Sequence, residues 1–551
     1  MQKFLTLFLF IAISIGGFAA KKPQQAIVNL ISYSADGHVL ASGNGFFIDN
    51  TGRTVVPFSL LKNAVRAEVI DAKGKVHEVS RIVGANSTYD LAVLTINAKG
   101  KKKDQFDFFS VATDSAALNE ALTCYPYTVK KAKPVSGQVT QVQSFDSLCY
   151  YTTTVPNEKR YFGCPLLNAA GDVVAVVQQN VGDSAVEACA IDARFIHTLR
   201  VTSTSAFNRD LRSVKIPKLL PASEREAHSY ILMLDAADSL VTATAYNDFI
   251  TAYPHNADGY MDFAAFYVNH ANYAQAEACV NLGFEKSEQK DLLHYSFSKM
   301  IYQMVRGGVV YNDWTAQKSA EEANAAYAIN PQPLYRLQQG HSHFLQGDFK
   351  QAQTCFTEVC ATDLVSAETH FLVAKCILLQ GADTLQALAH MDSAVNRLMP
   401  PIHRNAAFYI LERAHLLSEV GEYREAVLDY NTYEGIMTPK MLTDRFYALR
   451  SQVELSAKMY QQALDDMLYA QTLAPNNPFY PQECARIYLV TGNYAEAITQ
   501  ARKSLNLQPA NLEAYKLMGL AHHQLGEKTS AQQIFKKLLE AGDESVKKFL
   551  E

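Results

Sequence analysis

The sequence predicts a multidomain protein in which an all-β domain is followed by an all-α solenoid of repeats, and three observations predict it. From about Ala26 to His197, short β-type runs such as Gly45-Phe46-Phe47-Ile48, Arg53-Thr54-Val55-Val56 and Asp172–Val177 alternate with Gly, Asn and Asp turns. Between Thr202 and Ala222 the chain turns polar and carries Pro217 and Pro221, which cannot continue a helix or a central strand. From Ser223 the apolar periodicity becomes helical and the chain repeats itself. A length of 551 residues also exceeds what one core supports. The expected division is a leader over 1–20, a β domain over 21–200, a linker over 201–222 and a solenoid over 223–551.

The leader is expected from Lys3, the apolar run Phe4–Ile15 and the small residues Gly16-Gly17-Phe18-Ala19-Ala20, the layout of a secretory signal peptide cleaved near Lys21. No later stretch offers the ~18–20 consecutive apolar residues of a membrane span. A net charge of -5 argues against a nucleic-acid partner, since the clearest basic run, Lys101-Lys102-Lys103, is short and reads as a solvated loop. Nine Cys occur without Cys-x-x-Cys or paired Cys/His spacing, so neither a metal nor another cofactor is expected. Four of them, Cys124, Cys149, Cys164 and Cys189, lie in the β domain, where one or two bridges are compatible with an oxidising compartment but the pairing stays open.

In the second half, Ser451, Ala485 and Gly519 recur at intervals of 34 residues, as do Ala463, Ala497 and Ala531, and Pro475 and Pro509. Paired helices cross closely only where small side chains let their backbones approach, while Tyr447, Tyr488, Tyr515 and Phe535 fill the spaces between neighbours. Earlier copies read Tyr260, Ala264, Tyr267, Ala276, then Gly340, Gly347, Ala352, Phe356, then Ala414, Gly421, Ala426, Tyr430. The stretch from Asp291 to Asn330, with Trp314, departs from the pattern. These features, with the turns Gly347-Asp348-Phe349, Gly421-Glu422-Tyr423 and Gly492-Asn493-Tyr494, resemble the tetratricopeptide repeat family. The resemblance implies a superhelix whose concave face binds a protein or peptide, with Tyr267, Gln338, Gln339, His343 and Tyr488 as candidate contacts.

The β domain carries four segments in order: Ser42-Gly43-Asn44-Gly45-Phe46-Phe47-Ile48-Asp49, Asp90-Leu91-Ala92-Val93-Leu94, Pro134-Val135-Ser136-Gly137-Gln138-Val139, and Gly163-Cys164-Pro165-Leu166-Leu167-Asn168 with Gly171-Asp172-Val173-Val174. Together they resemble the trypsin-like serine proteases of the HtrA/DegP type, which implies an all-β double barrel over about residues 26–200. Serine-protease chemistry needs a hydroxyl, an imidazole, a carboxylate and oxyanion N–H donors. By the resemblance Asp90 occupies the carboxylate position, Ser59 the base position and Phe162 the nucleophile position. A serine hydroxyl is no general base at neutral pH, and a phenyl ring cannot attack a carbonyl. Arg160 and Cys164 replace glycines of the oxyanion loop. Cys164 is the one alternative nucleophile, without an evident base; His38 and His77 are expected to be surface histidines.

The resulting expectation is a secreted pseudoprotease joined to a repeat solenoid. It would act as a protein-binding adaptor or scaffold in the periplasm of a Gram-negative bacterium, through the concave face and the former protease cleft. The rival is an active serine or cysteine endopeptidase with a rearranged site.

Overall fold

The computed structural model of the protein describes residues 22–97, 105–128, 133–179, 187–234, 239–381 and 383–550. The leader of residues 1–20 and the basic run Lys101–Lys103 lie outside the described residues. Two compact units divide between Gln289 and Lys290.

In the first unit the β-branched and aromatic runs become twelve antiparallel strands among the described residues. The strands β1 (Ile27–Tyr33), β2 (Val39–Phe47), β3 (Thr54–Val56), β4 (Arg66–Ile70), β5 (Val76–Asn86) and β6 (Leu91–Ile96) close in the order β1-β2-β3-β6-β5-β4. A second barrel closes as β10-β11-β12-β9-β8-β7 from β7 (Ala121–Cys124), β8 (Val135–Phe145), β9 (Leu148–Pro156), β10 (Pro165–Leu167), β11 (Val173–Val177) and β12 (Glu187–Asp192). The two-residue side-chain period of a strand explains how short apolar runs serve two cores at once. Phe47, Val56 and Leu94 fill the first barrel, while their neighbours Phe46, Val55 and Val93 turn outward against Val173, Val176 and Ile191 of the second. This is the trypsin-like double barrel.

The irregular stretch at 201–222, expected as a linker, is built into the first barrel instead. Leu211, Val214 and Ile216 are buried in that barrel's core. The backbone beside them pairs with β5: Ile82 N–H donates to the Pro217 carbonyl at 2.9 Å and Leu219 N–H donates to the Ile82 carbonyl at 2.8 Å. The prolines end regular structure, as expected, but the alternating apolar residues anchor the segment. Helices Glu224–Leu232, Ser239–Ala252, Ala257–Asn269 and Tyr273–Lys286 follow in the same unit. Arg81 of β5 grips Asp248 of the second of these in a bidentate ion pair at 2.7 and 2.8 Å.

The second unit is a series of helix pairs, from Lys290–Arg306 with Ala316–Ile329 to Leu512–Gln524 with Lys528–Glu540. The 34-residue small positions are where helices of a pair touch. Ser451 and Ala485 are fully buried, Ser451 Oγ donates to the Ala463 carbonyl at 2.7 Å, and a Cβ on Gly519 would meet Phe535 at 2.8 Å. Each turn between paired helices needs a left-handed residue, and Gly347, Gly421 and Gly492 supply it with φ of 86°, 89° and 79°. The irregular copy around Trp314 is a pair with a longer first helix, whose connecting loop buries the indole against Phe297 and Tyr311. No helix among the described residues is long and apolar enough to cross a membrane.

Candidate functional site

In the double barrel, the turn Phe58–Leu61 after β3 and the segment before β6 bring Ser59 and Asp90 together. The Asp90 carboxylate accepts from Ser59 N–H at 2.6 Å and from the Ser59 hydroxyl at 2.9 Å, and the Asp90 carbonyl accepts from Phe58 N–H at 3.3 Å. Asp90 holds a left-handed backbone, φ 49°. Burial pushes its carboxyl above the ordinary value, opposed by the two Ser59 bonds. The proton of Ser59 therefore points at a carboxylate, which is too weak a base at neutral pH to activate a hydroxyl. Asp90 works here as a side-chain cap that fixes the Phe58–Leu61 turn.

Phe162 faces no cleft. Its ring is 8% exposed and belongs to the core of the first barrel, with Leu60 and Leu61, although its backbone leads into β10 of the second. The loop around it has no spare donor from 161 to 164. Tyr161 N–H donates to Glu158 O at 2.9 Å, Phe162 N–H to Lys159 O at 3.3 Å, Gly163 N–H to Val177 O at 2.9 Å and Cys164 N–H to Tyr161 O at 3.0 Å. Asn44 of β2 clamps the loop by donating from Nδ2 to the carbonyls of Arg160, at 3.0 Å, and Phe162, at 2.8 Å, while its Oδ1 accepts from Tyr127 N–H at 2.9 Å. Gly163 sits at φ 78°, and a Cβ there would lie 2.5 Å from the Asn44 carbonyl oxygen. An oxyanion would meet carbonyls held in place and N–H groups already engaged.

Cys164 is fully buried against Cys124, and burial pushes its thiol well above the usual range, the opposite of an activated nucleophile. His38 is exposed beside Asp36, as expected. The expectation for His77 is corrected: it is buried, with Nε2 3.2 Å from Asp71 Oδ2 and its ring against Phe106. It stands near the start of β5, whereas Asp90 follows the end of that strand, and the His77 ring nitrogen is paired with Asp71. Among the described residues no group of three or more His, Cys, Asp or Glu could hold a metal.

The solenoid candidates sit in different settings. Gln338 and Gln339 are buried, and their amides are committed: Gln338 Nε2 donates to Ser298 Oγ at 3.0 Å and Gln339 Nε2 to Asn324 Oδ1 at 2.8 Å. Tyr488 is half-buried between successive helix pairs, and His343 is half-buried with Nδ1 lacking a hydrogen-bond partner among the described residues. Tyr267 is half-buried and stacks on Phe263 at 4.7 Å. Sequence reasoning missed two features. One is Asn44, whose signal was a polar residue among glycines in a strand. The other is an apolar hollow of about 300 Å³ between helices Asp444–Ser456 and Phe479–Val490, where Leu449 and Phe479 stay 48% and 37% exposed beside Arg445 and Gln452.

The fold is a trypsin-like double barrel, two closed six-stranded sheets, followed by a series of helix pairs. The tetratricopeptide repeat family model matches residues 485–546. The chain is 22% identical over 280 residues to Superkiller complex protein 3 of Mus musculus, covering 51% of this chain and 17% of that protein. It is 28% identical over 101 residues to the heat-shock protein cognate co-chaperone sgt12 of Aspergillus fumigatus, covering 18% and 30%. The chain thus spans less than a third of either relative. Solved structures similar to it include an inactive form of Rv3671c from M. tuberculosis, at 16% identity and TM-score 0.27 over 32% of this chain and 85% of that one. A serine endoprotease from Yersinia pestis is similar at 17% identity and TM-score 0.28, over 35% and 65%. The fold assignment rests on the two closed barrels and the helix pairs themselves.

Proposed function

We propose that this protein is a secreted, periplasmic pseudoprotease that works as a protein-binding adaptor or scaffold rather than as an endopeptidase. The observation that carries the reading is the loop at Phe162: its side chain is a core residue of the first barrel, and its N–H groups from 161 to 164 are spent on other carbonyls. The pairing of Ser59 with Asp90, with no imidazole between them, supports it further. Binding is assigned to the helical repeats, where the hollow at Leu449 and Phe479 offers a partner an apolar seat with a cation at its rim.

The test has two arms. The purified chain is incubated with labelled casein and with a fluorophosphonate probe, and neither cleavage nor labelling above background is expected. A photocrosslinking residue at Leu449 is expected to give discrete adducts with envelope proteins in the producing cell, lost in Phe479→Glu. Casein cleavage blocked by a stoichiometric inhibitor would return the protein to the endopeptidases.

A further inference from the structure

Within the first unit, a pocket of about 330 Å³ opens beside the β8–β9 hairpin. Neither Ser59, Asp90 nor the 160–164 loop lines it, so it is distinct from the site described above. Strand register builds it. Cys149 and Tyr151 of β9 turn into the second barrel's core, so Leu148 and Tyr150 between and before them turn out. Gln143 lies opposite Tyr150, Tyr150 opposite Ile191, and Phe145 opposite Leu148, which puts these side chains on one outer face. Thr88 and Tyr89, between β5 and β6 of the first barrel, supply the other wall. That wall is held from three directions: Tyr89 N–H donates to Asn86 Oδ1 at 2.9 Å, its carbonyl accepts from Gln178 Nε2, and its ring packs on Phe195 at a centroid distance of 4.4 Å. Phe145 meets Tyr89 edge to face at 6.5 Å, yet stays 64% exposed.

We propose that this pocket binds a single neutral aromatic ring carrying a hydrogen-bonding substituent, as in a phenol. Its volume lies in the range of ~300–1,000 Å³ usual for small-molecule sites. Tyr89, Phe145 and Tyr150 offer ring faces and edges to a fourth ring, and the half-buried Leu148 and buried Ile191 are apolar. No charged side chain lines the pocket among the described residues; its exposed polar groups, on Thr88, Gln143 and Ser144, are all neutral. A charged ligand would therefore give up hydration with no opposite charge to replace it, whereas a phenol hydroxyl could exchange water for an amide or a hydroxyl. Seating a ring there also removes the exposed face of Phe145 from water. An occupant would tie the hairpin of the second barrel to the segment of the first that leads into Asp90.

Isothermal titration of the full chain with 4-methylphenol, phenyltrimethylammonium and 4-methylbenzoate tests this. 4-Methylphenol is expected to bind one to one with a dissociation constant of about 1 mM or tighter, at least tenfold tighter than either ion. Its affinity should stay within about twofold when ionic strength rises from 50 to 300 mM, since no charge is recognised. Phe145→Ala is expected to weaken it at least threefold without moving the melting temperature of the free protein, because that ring is mostly exposed. Leu148→Asp should abolish binding while far-ultraviolet circular dichroism reports an intact fold; if that variant does not fold, Phe145→Ala alone decides. A second arm separates the two sources of such a ring: acetyl-Gly-Tyr-Gly-amide binding tighter than 4-methylphenol makes it a peptide side chain, and weaker makes it a free small molecule. No saturable binding of 4-methylphenol, tighter binding of either ion, or binding indifferent to Phe145→Ala overturns the proposal.

Discussion

Replacing Phe162 by serine restores the hydroxyl at the position where the resemblance places a nucleophile, and the packing around the ring sets the cost of the exchange. The ring is 8% exposed in the core of the first barrel, so its removal forfeits the burial and leaves a cavity, a change that costs about 3–5 kcal/mol for Phe→Ala. A serine hydroxyl left among Leu60 and Leu61 adds about 1–3 kcal/mol unless it finds a partner. The sum is large against a stability of about 5–15 kcal/mol, and at ~2–4 °C per kcal/mol it lowers the first unit's melting temperature by about 10 °C or more. Phe162→Leu, which keeps most of the volume, should lose no more than about a third of that. Differential scanning calorimetry reads the shift, and labelled casein reads activity, which should stay at background because Ser59 and the occupied N–H groups remain. A shift under 2 °C together with casein cleavage would show that the side chain lies in an open cleft, and its assignment to the core would fail.

Three other perturbations have calculable outcomes. Glu454 is buried beside the Arg450–Asp466 pair with one carboxylate oxygen unpartnered, and burial, then the Asp466 charge, raises its pKa from 4.5 to about 8. Because the folded pKa is the higher, the stability it contributes is complete below pH 4.5 and lost as pH rises toward 8, on the order of 2–4 kcal/mol; Glu454→Gln should flatten the fall of melting temperature over that window, and an unchanged slope would contradict the assignment. Lys458 holds φ 61° at the turn position where other repeats place Gly421 and Gly492, so Lys458→Gly should relieve left-handed strain and stabilise by about 0.5–1 kcal/mol in denaturant titration; destabilisation would refute it. Asp90→Asn should weaken both Ser59 bonds, cost about 1–2 kcal/mol and speed amide exchange at Ser59, whereas unaltered exchange would remove Asp90 from its capping role.

Both folds were legible in the sequence for physical reasons. Alternation of Phe46 with Phe47 and of Val55 with Val56 marks strands buried on both faces, and the 34-residue recurrence of Ser451, Ala485 and Gly519 marks helix crossings that admit no larger side chain. The resemblance assigns Ser59, Asp90 and Phe162 their positions because each sits beside motif glycines or strands. What pairing each makes was not legible. Whether Phe162 turns outward or inward depends on the volume left by Leu60 and Leu61, about a hundred positions away. Gln338 and Gln339 read as polar surface because glutamine usually is, yet the Ser298–Ser319–Ser342 cluster and Asn324 give their amides internal partners. His77 reads as a surface residue because its partner Asp71 lies across a hairpin turn, where sequence spacing gives no sign of the contact. The Pro-containing stretch at 201–222 shows the same limit: composition reveals where regular structure ends, and only packing reveals whether the chain there is tethered.

The positions that match the serine-protease pattern and those that depart from it divide along a physical line. Asp90 and Gly163 match, and each has a task in the fold itself. Asp90 caps the Phe58–Leu61 turn, and Gly163 passes within contact of the Asn44 backbone at a left-handed φ that other residues adopt only at a cost. Ser59, Phe162 and Cys164 depart, and they stand where, by the resemblance alone, a base, a nucleophile and an oxyanion-loop glycine would be expected. Phe162 goes further, since filling the first barrel's core with a ring from the second barrel's loop adds apolar burial that a catalytic serine cannot supply. In the same loop the carbonyls of Arg160 and Phe162 accept from Asn44, and the N–H groups of Gly163 and Cys164 donate to the carbonyls of Val177 and Tyr161. The packing of the Phe162 ring in the first barrel's core and the hydrogen bonds of the 160–164 loop therefore belong to one local arrangement.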